Sequence, residues 1–385
     1  MICLYCGDNP PNGKVMKICR NYDIFFVIFA IGNNGHDMRT RLLGLTPAEL
    51  SSIAVSSGLP SYAGKQIARH LYVRKVRSFD EMTDISREGR ARLAEAAEIG
   101  LVAPSGSVLS SDGTRKYIFP VETELGGKRV ESCVEAVMIP DGDRKTLCVS
   151  SQAGCRMGCH FCMTGRQGFH GNLSASQILS QLITIDESDS LTNVVFMGMG
   201  EPLDNWDNVR SAIEAITATW GFAWSPKRVT LSTIGVIPKL RACLDELKCH
   251  IAVSLHDPFP EERLSIMPVQ KAWPLADVLS LLREYDFTGQ RRVSFEYTMF
   301  AGFNDTKAHA DALARAVRGL ECRVNLIRFH KIPDFPYESS SDEAIEAFRR
   351  RLSAYGVTAT VRASRGEDIL AACGMLAGKF SKTSL

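Results

Sequence analysis

The chain has 385 residues, more than one compact core commonly takes, so one large domain beside a smaller one is expected. Apolar residues make up 45% and charged residues 23%, and the formal net charge of +2 says nothing about nucleic acid, so any basic surface must be local. The longest apolar run, 24–31 (IFFVIFAI), is too short to span a bilayer, which takes about 20 residues, and no small-residue cleavage site follows it; the chain is read as cytoplasmic, with no membrane partner.

Residues 1–37 form a poorly defined extension. Cys3 and Cys6 make a C-x-x-C pair and Cys19 follows, but the second pair of a zinc knuckle is missing, and Met38 stands where a shorter chain could begin. Residues 38–104 read as a small helical domain. Thr46, Pro47 and Glu49 form a capping-box start, 61–75 reads as a second helix, and 87–100 as a third ending at Gly100. This segment holds ten Lys/Arg against seven Asp/Glu. Arg69, His70, Arg74, Lys75 and Arg77 lie among Tyr72 and Phe79, either as a solvated helix face or as a patch that meets RNA phosphates and bases.

Residues 105–140 read as a β-hairpin linker turning at Asp112-Gly113, with Glu135 alone among apolar neighbours, a position that usually faces solvent. From 141 to 380, seven short β-rich runs alternate with helical stretches: 146–152, 193–200, 228–235, 250–256, 292–300, 323–329 and 357–363. Such alternation means a parallel sheet with right-handed crossovers. The glycines of GMGEPL do not complete a dinucleotide fingerprint, so a partial (β/α) barrel is the expected α/β fold, followed by a tail at 381–385.

Polar residues gather where these strands end: Gly198, Gly200 and Glu201; Ser232 and Thr233; Ser254 and His256; Glu296 and Tyr297; Asn325. Sites on such barrels lie at the carboxyl ends of the strands, and this mouth suits a small ligand with amine, carboxylate and hydroxyl groups. The first strand runs into CRMGCHFC, which holds Cys155, Cys159 and Cys162. A structural zinc site wants four ligands, haem attachment wants C-x-x-C-H, and a redox dithiol wants two thiols. Three thiolates on a four-iron cluster leave one iron open for a substrate, which makes an iron–sulfur cluster the first reading and zinc the second. Cys243, Cys249 and Cys322 read as small buried apolar side chains.

The C-x-x-x-C-x-x-C spacing, with Phe161 before the last cysteine and GMGE after the second strand, resembles the signature of the radical S-adenosylmethionine superfamily. The stretches TLCVSSQAGCRMGCHFC, NVVFMGMGEPLDNWDNV, RVTLSTIGVIPKL, IAVSLHDPFPEER, RVNLIRF and RASRGEDILAACGMLAG together resemble the RlmN/Cfr family of RNA adenine methyltransferases over about residues 38–380. The resemblance implies a 4Fe–4S cluster on Cys155, Cys159 and Cys162, with S-adenosylmethionine held by Gly200, Glu201, Ser232, Ser254, Leu255, His256 and Asn325. It further implies that Cys373 is methylated and then carries a methylene radical onto adenine. Glu135 accepts the ring proton, and Cys148 releases the product, leaving a Cys148–Cys373 disulfide to be reduced. Two S-adenosylmethionine molecules serve each turnover.

Implied partners are 23S rRNA, tRNA and a reducing electron-transfer protein, for an enzyme expected to be monomeric. Methylation at adenosine carbon 2 is favoured by the full helical N-terminal domain. Cfr-type methylation at carbon 8, which confers antibiotic resistance, stays open because the catalytic residues are shared. An iron–sulfur or zinc protein that binds RNA without chemistry is the reading from another class.

Overall fold

The computed structural model describes residues 39–289 and 291–377, together with the backbone of β1 (Lys17–Asn21) and β2 (Ile24–Ile28), an antiparallel pair. Cys3, Cys6, the Cys19 side chain, Met38 and the tail at 381–385 lie outside the described residues.

The helical part comprises β3 (Thr40–Arg41), α1 (Pro47–Ser56), α2 (Ala63–Ala68), α3 (Arg87–Ala96) and β4 (Ala97–Glu98), and α2 runs on into a π turn at Arg69–Val73. The expected capping box is present: the Thr46 side chain accepts from Glu49 N–H, and Thr46 N–H donates to Glu49 Oε2 at 2.8 Å. The third helix stops four residues before Gly100, because Ala97 and Glu98 extend to pair in parallel with Thr40 and Arg41. Gly100 turns the chain with φ +84°, where a Cβ would sit 2.9 Å from Arg41 Cβ.

Much of the expected basic patch is core. His70 is fully buried and bonded to Asp84. Tyr72 is buried, donates to Leu45 O at 2.6 Å and packs edge-on against Trp220 and Phe222. Lys75 pairs with Asp189 at 2.8 Å. Arg69, Arg74 and Arg77 remain exposed.

The rest of the fold is one ten-stranded sheet. It starts with the antiparallel strands β5 (Gly106–Leu109), β6 (Arg115–Leu125), β7 (Lys128–Asp141) and β8 (Arg144–Cys148). A small antiparallel pair, β9 (Gln152–Gly154) and β10 (Phe169–Asn172), brackets α4 (Met163–Arg166). Then α5 (Ala175–Ile183), β11 (Asn193–Phe196), α6 (Trp206–Thr217), β12 (Val229–Thr233), α7 (Ile237–Glu246), β13 (His250–Ser254), α8 (Pro260–Ile266) and α9 (Leu275–Leu282) follow. The chain completes the sheet with β14 (Val293–Met299), α10 (Lys307–Ala316), β15 (Cys322–Arg328), α11 (Asp342–Ala354) and β16 (Thr358–Val361).

The sheet order is β16-β15-β14-β13-β12-β11-β8-β7-β6-β5, so seven consecutive strands from β8 onward are parallel, each beside its predecessor. This is the expected partial barrel. Segment 105–140 continues its sheet without a break, through β7–β8 pairing. The outer face carries Phe295 and Tyr297, both fully buried, with Tyr297 5.1 Å from Phe348 of α11. Tyr297 therefore packs under a helix and does not reach the mouth. Between α8 and α10, His309 Nε2 lies 2.8 Å from Glu262 and 3.7 Å from Asp257, a hydrogen-bonded tie between the two helices. Among the described residues, no helix is long and apolar enough to cross a membrane.

Candidate active site

Strand register decides which side chains share the inner face. Lys116 stands opposite Val137, Val137 opposite Cys148, and Cys148 beside Val195. Directly paired residues project from the same side of a sheet, as do residues two apart on one strand. Lys116, Cys148 and Glu135 therefore share one face. The pairs Val195–Thr230 and Thr230–His250 carry that face to Ser232 and Ser254. Ser254–Glu296, Glu296–Asn325 and Asn325–Thr360 take it to the last strand. Ser232, Ser254, Glu296 and Asn325 thus lie on one surface, opposite the helix-covered one, while Thr233 and Tyr297 have the opposite parity.

The three cysteines sit in the loop between β9 and α4. Cys155 N–H donates to Gly168 O at 2.8 Å, and His160 N–H to Ile266 O at 3.0 Å. Arg156 pairs with Asp204 at 2.9 Å and lies 3.9 Å over the Phe169 ring. Phe161 packs edge-on against His256 at 4.8 Å, within a second apolar cluster around Phe300, Phe329 and Phe335 that shields the loop. Burial pushes the Cys155 thiol up to about 12 and raises Cys159 and Cys162, and the charge of Cys162 further raises both others.

Thiols held so close in an apolar setting favour a cationic centre that draws off their protons. Three thiols in one loop suit an iron–sulfur cluster that leaves one iron open to a substrate, whereas a structural zinc site takes four protein ligands.

At the end of β11, Gly198 and Gly200 approach the chain's own 149–152 segment. A Cβ on Gly198 would lie 2.6 Å from Val149 O, and one on Gly200 (φ +100°) 2.5 Å from Gln152 Cβ. The glycines seat this element on the strand that leads into the cysteines, which is their first use. Glu201 is buried, and its carboxylate accepts from Leu203 N–H (3.0 Å), Thr233 Oγ1 (2.6 Å) and Ile234 N–H (2.9 Å). Burial nonetheless pushes its pKa up to about 7. It ties β11 to β12 and keeps one lone-pair direction for a ligand amine.

His256 follows β13 with φ +57°, accepts from Thr298 N–H through Nδ1 at 3.0 Å, and is held down to about pKa 3 by burial and then by Arg263. Leu255 is fully buried and its N–H donates to Glu296 O at 3.1 Å. Asn325 donates to Glu296 Oε1 and accepts from Thr360 Oγ1, each at 2.7 Å.

Glu135 is 1% exposed, contrary to the usual solvent-facing position of a lone strand glutamate. Cys148 is buried, with its thiol pushed up to about 12 by burial and then by the charge of Cys373. The two sulfurs are thus electrostatic neighbours although 225 positions apart, 373 less 148. Cys373 presents accessible surface, and desolvation raises its thiol against the pull of Arg362. Its loop is docked on α4: Met163 N–H donates to Gly374 O (2.8 Å), Thr164 Oγ1 to Leu376 O (2.7 Å) and Gln167 Nε2 to Ala377 O (2.7 Å).

Three residues of this region, Arg263, Arg362 and Lys116, were not legible as functional. Arg263 is fully buried and donates to Leu255 O, Gln270 Oε1 and Ser254 O, fixing the end of β13. Arg362 lies 3.6 Å from Glu296 and donates to Met197 Sδ at 3.4 Å. Lys116 lies 3.7 Å from Glu135. Glu296 joins two of these networks. Inward parity on a strand was the available signal for Lys116; an arginine in PEER carries none.

Two family models match, the radical SAM superfamily over residues 149–313 and the ribosomal RNA large subunit methyltransferase N-terminal domain over 40–99. A probable dual-specificity RNA methyltransferase RlmN of Porphyromonas gingivalis is 54% identical over 343 residues, covering 89% of this chain and 98% of that protein. The dual-specificity RNA methyltransferase RlmN of Syntrophus aciditrophicus is 41% identical over 354 residues, covering 91% of this chain and 100% of that one. The crystal structure of a radical SAM methyltransferase from Sphaerobacter thermophilus superposes with a TM-score of 0.81 at 36% identity, covering 88% of this chain and all of that one. The chain therefore belongs to the RlmN family of RNA methyltransferases, radical S-adenosylmethionine enzymes that use a 4Fe–4S cluster and S-adenosylmethionine.

Proposed function

We propose that this enzyme methylates carbon 2 of adenosine in 23S rRNA and also in tRNA, through a methylated Cys373. The observation that carries the reading is the meeting of Glu135, Cys148 and the Cys373 loop at one face of the sheet, beside the cysteine loop. The dual specificity printed in the names of the relatives supports two RNA substrates. Carbon 2 of adenine bears no acidic hydrogen and is itself electrophilic, so ordinary methyl transfer to a nucleophile does not reach it.

Cys155, Cys159 and Cys162 hold the cluster. Gly200, Glu201, Ser232, Ser254, Leu255, His256 and Asn325 would hold S-adenosylmethionine, Glu201 suiting its ammonium and the serines and Asn325 its carboxylate and ribose. Together these groups, when bound, supply the methyl group and the radical that makes it reactive. Cys373 carries the methyl-derived carbon as a thioether to the base. A Glu135 carboxylate oxygen accepts the ring proton. The Cys148 sulfur then bonds to the Cys373 sulfur as the carbon–sulfur bond of the adduct breaks. The released carbon keeps the electron pair and takes a proton, giving the methyl group. The Cys148–Cys373 disulfide is reduced before the next cycle, and a separate electron-transfer protein supplies the cluster.

A base inside a helix cannot reach these residues, so the target adenosine is turned out of its stack, which single-stranded loops allow at least cost. The helical domain at 38–104 docks the RNA through Arg69, Arg74 and Arg77, the exposed cations of its basic stretch. Nucleoside mass spectrometry of rRNA and tRNA incubated with the reconstituted enzyme tests the assignment. 2-Methyladenosine is expected in both; 8-methyladenosine as the sole product would overturn it.

A further inference from the structure

A lysine that is only 4% exposed, as Lys116 is, must find partners for its ammonium within the protein. Lys116 finds two, on two different elements. Its Nζ lies 3.7 Å from Glu135 Oε2, and Glu135 is itself 1% exposed. The same Nζ donates to Leu370 O at 3.3 Å. The register explains the first contact: Lys116 stands opposite Val137, and Glu135 is two residues before Val137 on the same face, the diagonal spacing a lysine spans.

The second contact lies three residues before Cys373. Leu370 adopts φ +54°, a left-handed conformation that a leucine holds only when neighbours impose it. Those neighbours belong to the β5–β6 hairpin. Ser110 Oγ and Ser111 N–H donate to the Asp368 carboxylate at 2.6 and 3.0 Å, and Gly366 N–H donates to Asp112 Oδ2 at 3.0 Å. The loop that delivers Cys373 is therefore moored on the β5–β6 hairpin, whose strand β6 pairs with the β7 strand that carries Glu135, and Lys116 on β6 is the charged group that touches both the base and the loop.

We propose that Lys116 is a positioning residue for the proton transfer. Its ammonium keeps Glu135 an anion ready to accept the ring proton, and its bond to Leu370 O holds the Cys373 loop in register with that base. Burial lowers the lysine's own pKa, and the Glu135 charge offsets part of that lowering. When Glu135 takes the ring proton, the ion pair loses its negative member, and the Leu370 carbonyl remains as the acceptor for the ammonium. This inference rests on the reading of Glu135 as the proton acceptor.

The reconstituted holoenzyme tests it through three variants at Lys116. Lys116→Met removes both contacts, Lys116→Gln removes the charge and keeps a donor for Leu370 O, and Lys116→Arg keeps a cation. Methyladenosine formation against pH and hydrogen exchange of residues 366–372 are the readouts. With the cation gone the carboxyl holds its proton to higher pH, so the acid limb should move up by about one unit or more in Lys116→Met and Lys116→Gln. It should stay near the wild-type position in Lys116→Arg. Exchange of the loop should quicken several-fold in Lys116→Met and change little in Lys116→Gln.

An acid limb unmoved in Lys116→Gln, with Glu135→Gln inactive, overturns the role of Lys116 and leaves Glu135 as the base. Full activity in Glu135→Gln overturns the reading of Glu135 itself. Lys116→Gln retains a polar side chain, so the limb is still read if Lys116→Met fails to fold.

Discussion

Cys148 and Glu135 project from the same face of adjacent strands, offset by one residue pair: Val137 stands opposite Cys148, and Glu135 lies two residues before Val137. The group proposed to take the ring proton and the thiol proposed to release the product thus approach the base from neighbouring strands of one rigid sheet. Ser150 reinforces the arrangement by donating to the Glu135 carbonyl at 2.6 Å. Two steps that follow each other on one adduct need this fixed spacing.

Cys148→Ala should stop the cycle after the carbon–carbon bond has formed. The variant keeps the cluster loop, the Cys373 loop and Glu135, and lacks only the sulfur that displaces Cys373. A covalent protein–RNA species should become the main product, with free methyladenosine falling at least about 100-fold, the scale expected when a nucleophile is removed. Denaturing electrophoresis followed by nuclease digestion and peptide mass spectrometry reads it, with the RNA attached at Cys373. Recovery of free, unmodified RNA alone would count against the release role of Cys148.

The docking of the Cys373 loop on α4 gives a second expectation. The Thr164 hydroxyl is buried and donates to Leu376 O at 2.7 Å, one of three bonds joining this loop to the helix that directly follows Cys162. Thr164→Val keeps the shape and leaves the Leu376 carbonyl without that donor. The cost should be about 1–2 kcal/mol, the penalty of a buried hydrogen bond with one partner removed. Because the loop is what the bond secures, the fraction of Cys373 carrying a methyl group should fall several-fold while iron content stays constant. Intact-peptide mass spectrometry beside an iron assay separates the two, and unchanged methyl occupancy would show that the bond does not hold the loop for loading.

The strand–helix alternation was legible because buried parallel strands appear as short apolar runs, and all seven runs became strands. Which way a polar side chain faces was less so. Ser232, Ser254 and Asn325 could be placed by strand ends, but Tyr297, one residue from Glu296, falls on the helix-covered face by parity alone. Glu135 and Lys116 each look like solvent-facing charges on their own strand; only the cross-strand register shows them buried together. Arg263 looks like an ordinary exposed helix charge, yet the carbonyls of Ser254 and Leu255 and the Gln270 side chain hold it inside. In the helical domain, composition suggested one basic face, whereas helix rotation buries His70 and Tyr72 and leaves three arginines outside.

His256 gives an expectation in pH. Burial and then Arg263 hold its pKa down to about 3, below the usual value near 6.5. The unfolded chain therefore binds a proton at this residue between those values and the folded chain does not. The stability involved is fully present above about pH 6.5 and is lost as pH falls toward 3, by about 1.4 kcal/mol per unit. Glu201, raised to about 7, works in the opposite sense between 4.5 and 7, so the total stability does not isolate the histidine. The difference between wild type and His256→Asn does, because both carry Glu201. Asparagine suits the left-handed backbone at this position, φ +57°, and its side-chain oxygen can replace Nδ1 as the acceptor for Thr298 N–H. It loses the ring contact with Phe161, so the variant should be less stable at pH 8. That deficit should shrink by about 2 kcal/mol between pH 6.5 and 5, where only the wild type has a histidine to protonate on unfolding. Urea unfolding of the cluster-free proteins at pH 8, 7, 6 and 5 measures it, and a deficit constant across that series would mean that His256 is not held neutral by its surroundings.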